Sequence, residues 1–251
     1  MHQTCFRISS RTQKASLISS YPLERYNKDL NAQNVIELDL DAETVSAGYA
    51  EVADLLDADF FEGPRTSPKS KIGLYAVCPG WNGDLRWISS GNKAGFDFFD
   101  RYFDLLDVAA KTKTVLGDLG ELIMYSGFFV TRSLTESSYY HVDYMAEVGL
   151  NAFTLMTPVK PTGEIGNLLY HDAEGVEQVY KYSQGKAVSF GGGFYHSTEP
   201  FKSTEPYIFM CFTYGVTDME LWDSIAVTAA EQGMFYRHPQ KGIVRCGETD
   251  S

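Results

Sequence analysis

Hydrophobic and polar positions change rhythm twice along this chain. Residues 35–40, Val-Ile-Glu-Leu-Asp-Leu, alternate with period two as a half-buried strand does. Asp41 then opens a predicted helix to about Leu56, with Val45, Tyr49, Val52 and Leu56 on one face. Residues 62–71 carry Gly63, Pro64 and Pro68 among few apolar positions and read as a loop. A strand at 72–77 follows, and Trp81-Asn82-Gly83-Asp84 predicts a tight turn toward Leu85-Arg86-Trp87-Ile88. Between residues 93 and 112, Phe96, Phe99, Tyr102, Phe103 and Leu106 recur at helical spacing, which predicts a helix packing an aromatic stripe into the core.

From Leu122 the rhythm shortens. Residues 122–132, 137–144, 150–157, 165–170, 176–182, 186–190 and 207–214 read as strands separated by Gly, Pro, Asp or Ser signals. Such a succession predicts a mainly β protein with flanking helices, of the jelly-roll or cupin-like class. Thr217 with Glu220 has the pattern of a capping box and predicts a helix to about Gln232, covering one end of the barrel or meeting a partner subunit. The echo of Ser197-Thr198-Glu199-Pro200 in Ser203-Thr204-Glu205-Pro206 is too short for a repeat unit and reads as a turn-rich loop.

A chain of 251 residues that is 44% hydrophobic can bury a sizeable core, and the expectation is a single catalytic domain. Within it, residues 1–120 form an N-terminal α/β flank, 121–218 the β core and 219–251 a C-terminal helix and tail. A net charge of −12 argues against a protein that grips nucleic acid through phosphates. No run reaches the roughly 18 apolar residues of a membrane span. Cys5, Cys78, Cys211 and Cys246 show no CxxC spacing, which suggests reduced thiols in an intracellular compartment, the cytoplasm by preference. The first 23 residues contain Arg7, Arg11 and Lys14 but no acid, as in an organelle transit peptide; without a clear amphipathic helix, an ordinary strand at 4–9 is favoured.

The chemistry concentrates in His141-Val142-Asp143 and, further on, His196 after Gly191-Gly192-Gly193. Residues two apart on a strand share a face, so His141 and Asp143 aim together while His196 can close the face from a second strand. Two imidazoles and a carboxylate make the facial triad of non-haem iron(II) oxygenases, which leaves open coordination positions. His171-Asp172 with Glu174 sits in a turn without a distant partner and reads as a solvated loop; His2 and His238, near the termini, read as exposed. No nucleophile elbow or P-loop occurs.

On these residues, over roughly 121–218, the chain resembles the iron(II)/2-oxoglutarate-dependent dioxygenases, whose fold is the cupin double-stranded β-helix. The resemblance implies His141, Asp143 and His196 as iron ligands, 2-oxoglutarate and dioxygen as co-substrates, and a small organic substrate. Retention of Asp143 implies hydroxylation or desaturation rather than halogenation. Tyr139, Tyr140, Tyr144, Tyr195 and the Trp81–Trp87 segment are available to line a substrate pocket or the core. One departure stands out: the cation many of these enzymes carry about ten residues after the distal histidine is replaced by Glu205-Pro206-Tyr207-Ile208. Lys160 is the first choice to bind the distal carboxylate of 2-oxoglutarate instead, then Arg132, then Lys202. The missing cation keeps open a metal-dependent cupin enzyme that uses no 2-oxoglutarate, and beyond it a non-catalytic cupin-like binding protein.

Overall fold

The computed structural model of the protein describes residues 35–56, 63–78, 84–160, 165–172 and 174–247. At its centre two long strands, β5 (Leu122–Thr135) and β11 (Phe201–Val216), pair antiparallel, and β11 is buried at every position from Tyr207 onward. Burial on both faces means that each face is covered by another layer. These strands lie within an eight-stranded antiparallel sheet ordered β1 (Ile36–Asp39), β9 (Lys186–Gly191), β6 (Ala152–Pro158), β11, β5, β4 (Arg86–Ser90), β3 (Gly73–Val77), β2 (Gly63–Thr66). A smaller sheet of β10 (His196–Thr198), β7 (Leu168–His171) and β8 (Glu177–Tyr180) is also antiparallel.

After β5 the chain alternates between the sheets: residue 141 bridges to the small one, β6 returns to the large one, β7 and β8 go to the small, β9 to the large, β10 to the small and β11 to the large. This is the double-stranded β-helix expected from the strand rhythm. Its interior holds Phe128, Val130, Tyr207, Phe209 and Cys211 beside Tyr182, and Val188 and Phe190 beside Leu168, Tyr170 and Phe194.

The other face of the large sheet takes the helices. Phe98 and Phe99 of α2 (Lys93–Leu105) pack on Phe129 of β5, with α1 (Ala42–Leu56) alongside. Each such ring is fully buried and contributes roughly 2–3 kcal/mol of transfer free energy, so the aromatic stripe anchors the helix to the sheet. Asn92 caps α2 by accepting the Gly95 N–H at 2.8 Å. The helix expected to run to 112 breaks at Asp107, a left-handed residue with φ of 55°, and α3 (Val108–Leu116) starts anew. The kink lets Leu106 and Val108 both reach the core.

Five further expectations need correction. The proline-containing stretch read as a loop supplies β2, an edge strand where a missing N–H is tolerated. Residues 137–144 are not a continuous strand, since His141 alone makes a bridge there. The Ser-Thr-Glu-Pro echo is not a loop: β11 begins at Phe201, and its register against β5 shifts between Lys202 and Tyr207. At the C-terminus, α4 (Trp222–Gln232) is led in by a short turn that Asp218, not Thr217, caps, and a hairpin of β12 (Phe235–His238) and β13 (Gly242–Arg245) follows. That hairpin buries His238 against Trp222, with ring centroids 4.9 Å apart, so this histidine is not exposed.

Cys78 and Cys211 keep reduced thiols, as expected, but Cys246 is disulfide-bonded. The expected strand at 4–9, His2 and residues 81–83 of the expected turn lie outside the described residues. No helix among those described is long and apolar enough to cross a membrane.

Candidate metal centre

Beyond β5 the chain comes back beside β10, where His141 and His196 exchange both backbone hydrogen bonds. The His141 N–H donates to the His196 carbonyl at 2.9 Å, and the His196 N–H to the His141 carbonyl at 3.0 Å. Directly opposed residues of an antiparallel pair put their side chains on one face, so the two rings lie with centroids 4.4 Å apart. Asp143 joins them: its Oδ1 is 3.5 Å from His141 Nε2 and 3.9 Å from His196 Nε2. One ligand atom from each of the three lies within 4.8 Å of the others. Atoms that share an ion at about 2 Å each are separated by such distances.

Backbone carbonyls fix which ring nitrogens are available. His141 Nδ1 is 3.1 Å from the Tyr139 carbonyl, and His196 Nδ1 is 3.0 Å from the Phe194 carbonyl. A carbonyl only accepts, so both Nδ1 atoms carry a proton, and both Nε2 atoms face Asp143. This is the support a metal-binding imidazole needs. Burial first, then the neighbouring His141, pushes the pKa of His196 down to about 4, so its ring is neutral at physiological pH. Two imidazoles and one carboxylate suit a divalent first-row metal.

Asp143 is held by residues that sequence reasoning missed. The Thr154 hydroxyl on β6 donates to Oδ2 at 2.6 Å, leaving Oδ1 toward the histidines. On α4, Thr228 donates its hydroxyl to the Asp143 carbonyl oxygen. One turn further along α4, Glu231 has its carboxyl pKa raised, by burial and then by the charge of Asp143. A threonine within a strand or helix carries no motif, so only the assembled fold reveals these roles.

The three glycines before His196 brace the same segment. A Cβ on Gly192 would meet the Met145 carbonyl at 2.5 Å and the Gly149 nitrogen at 2.8 Å, and Gly193, with φ of 70°, donates its N–H to the Tyr144 carbonyl at 2.8 Å. The backbone therefore bends closely here, packed on the stretch that leads away from Asp143.

The aromatic candidates separate. Tyr139, 47% exposed, stacks on His141 at the site. Tyr140 and Tyr195 stack on each other and, by strand alternation, lie on the opposite face of the small sheet. Tyr144 is core, its hydroxyl donating to the Phe153 carbonyl, and Trp87 packs against the interior cluster. Asp172 accepts the backbone N–H groups of Glu174 and Val176, so Asp172 and Glu174 lie in a turn, as expected, whereas His171 ends β7 and packs on Tyr140 and Tyr195.

The candidate cations separate as well. Lys160 is exposed, its ammonium 4.3 Å from the Tyr49 ring centre on the helix side of the large sheet, and Lys202 is exposed on β11. Arg132, only 4% exposed, sits on β5 directly across from Tyr207.

No protein-family model matches the chain, and no curated protein matches it. Solved structures do. The α-ketoglutarate-dependent epimerase SnoN from nogalamycin biosynthesis is similar at TM-score 0.55 and 13% identity, over 75% of this chain and 80% of that one. The carbocyclase SnoK from the same biosynthesis gives 0.53 at 13%, over 78% and 86%. HygX from Streptomyces hygroscopicus, crystallised with nickel and 2-oxoglutarate, gives 0.51 at 11%, over 78% and 87%. At these identities the likeness is one of fold, the double-stranded β-helix.

Proposed function

We propose that this protein is a non-haem iron(II)- and 2-oxoglutarate-dependent oxygenase that hydroxylates or desaturates a small organic substrate. The observation that carries the reading is the triad itself: His141, Asp143 and His196 converge in the fold where SnoN, SnoK and HygX use α-ketoglutarate, with both imidazoles oriented from behind. The three side chains would hold the iron. When bound, iron and 2-oxoglutarate supply oxidative decarboxylation coupled to oxidation of a substrate C–H bond. The protein's own part is to position and to insulate. Phe190 and Phe194 pack on His196 at 4.5 and 5.3 Å and keep water from that side, while Tyr139 borders the open side. The 121–218 core would carry this chemistry within one catalytic domain, with α4 bracing Asp143.

Anaerobically iron-loaded protein, given 2-oxoglutarate and then oxygen, is expected to release succinate, and to do so faster with a cognate substrate from a metabolite panel. Oxygen uptake without 2-oxoglutarate consumption would instead establish the metal-dependent cupin reading, which the absent cation after His196 favours. A protein that binds metal but consumes neither would be a binding protein.

A further inference from the structure

We infer that Glu231 and Gln232, at the C-terminal end of α4, bind a protonated amino group of the substrate, so that the substrate class is the small organic amines. This rests on the proposed oxygenase reading and deepens it: the ammonium sits on α4 while the bond to be oxidised faces the His141–Asp143–His196 centre.

The argument begins with position. Helix α4 runs antiparallel to the chain that follows Asp143, and two contacts set its register. The Ser224 hydroxyl donates to Glu147 Oε1 at 3.3 Å, and four residues on, the Thr228 hydroxyl donates to the Asp143 carbonyl. Residues three and four beyond Thr228 lie on the same helix face, one turn further along. Those residues are Glu231 and Gln232, so the helix carries them past Asp143 in the direction of His141. The charge of Asp143 reaches Glu231, where it adds to burial in raising the carboxyl pKa. Glu231 still stands outside the three residues whose ligand atoms lie within 4.8 Å of one another. It borders the centre without being one of its candidate ligands.

The second part is a shortage of donors. Among the described residues, no hydrogen bond or ion pair engages the Glu231 carboxylate, and Gln232 Oε1 is buried with no partner. The last carbonyls of a helix add partial negative charge, and α4 contains no Lys, Arg or His to answer it. Acceptors withdrawn from water without donors carry a cost that a bound donor removes. An ammonium brings a positive charge and several N–H donors, which suits a carboxylate, an amide oxygen and a helix C-terminus together. An alcohol brings one donor and no charge, and an anion would be repelled. The net charge of −12 favours the approach of cations. Val227 on the helix and Met145 on the facing stretch, each lying in sequence between the two contacts, are exposed and offer apolar surface to a carbon skeleton.

The test uses manganese-loaded protein with 2-oxoglutarate and no oxygen. It reads the paramagnetic broadening of probe proton signals near the metal, against zinc-loaded protein as the blank. The probes are amine and alcohol pairs on one skeleton: hexylamine with hexanol, cyclohexylamine with cyclohexanol, benzylamine with benzyl alcohol. At least one amine is expected to bind beside the metal about tenfold or more tightly than its alcohol. E231Q should remove that preference and E231K should abolish amine binding, with manganese affinity retained in both. Q232L should weaken the amine about threefold and leave the alcohol unaffected. Wild-type protein that prefers no amine overturns the inference. So does E231Q that keeps the wild-type preference, since the amine would then be held by the metal itself. Succinate release by the iron-loaded wild type tests the underlying reading separately. Amine preference without succinate refutes that reading and leaves the amine site; succinate without amine preference does the reverse. Protein that holds no manganese would refute both.

Discussion

At the residue scale the candidate centre depends on groups outside the His141–Asp143–His196 triad. Thr154 fixes which oxygen of Asp143 faces the histidines, and the Tyr139 and Phe194 carbonyls fix the tautomers. Thr154→Val keeps the shape of the side chain and removes the hydroxyl. It is expected to weaken divalent-metal affinity about 10- to 100-fold, with an unfolding free energy within about 1 kcal/mol of wild type. Metal titration and urea unfolding of the same variant check both halves. The candidate triad was legible in the chain because its residue types and spacing are those coordination chemistry calls for. Thr154, Thr228 and Glu231 were not, because their roles depend on which strand and helix come to lie behind Asp143.

At the scale of elements, the ends of strands place the chemistry. Asp84 accepts the backbone N–H groups of Ser133 and Leu134 and the Ser133 hydroxyl, pinning β5 just past Arg132. Although burial opposes it, these hydrogen bonds hold the Asp84 carboxyl below its usual value of 3.8. A depressed pKa favours the folded state above the unfolded value and loses that contribution as pH falls through the folded one. Asp84→Asn should therefore cost about 1–2 kcal/mol at pH 7 and progressively less below about pH 4, as denaturant unfolding at both pH values will reveal. Gly192→Ala sets a Cβ against two backbone atoms of the 145–149 stretch. It is expected to lower the midpoint of thermal unfolding and to weaken metal binding together, since that stretch continues from Asp143. Loss of one without the other would separate the brace from the site.

These elements also mark where pattern reading stops. Alternation and turn residues located β5, β6, β8 and β9, whose burial is periodic or continuous. They missed β10 and the start of β11, where short, polar strands are held by neighbours rather than by their own propensity. They also carried one helix through Asp107, where a single left-handed residue divides it.

At the scale of the molecule, one sheet of the double-stranded β-helix is backed by helices and the other carries the histidine pair, so the candidate metal centre lies at a margin of the interior. A metal that binds only the folded state stabilises it by about 2.7 kcal/mol at 100 times its dissociation constant, which is several degrees in a chain of this size. The central claim is that His141, Asp143 and His196 hold a single iron. The most direct measurement is the iron(II) retained per chain after anaerobic reconstitution and desalting, in wild type and in Asp143→Ala, with metal-free thermal unfolding of both as the control. The account predicts close to one ion per wild-type chain and little in the variant, at similar metal-free stability. Equal iron in the two proteins would contradict it.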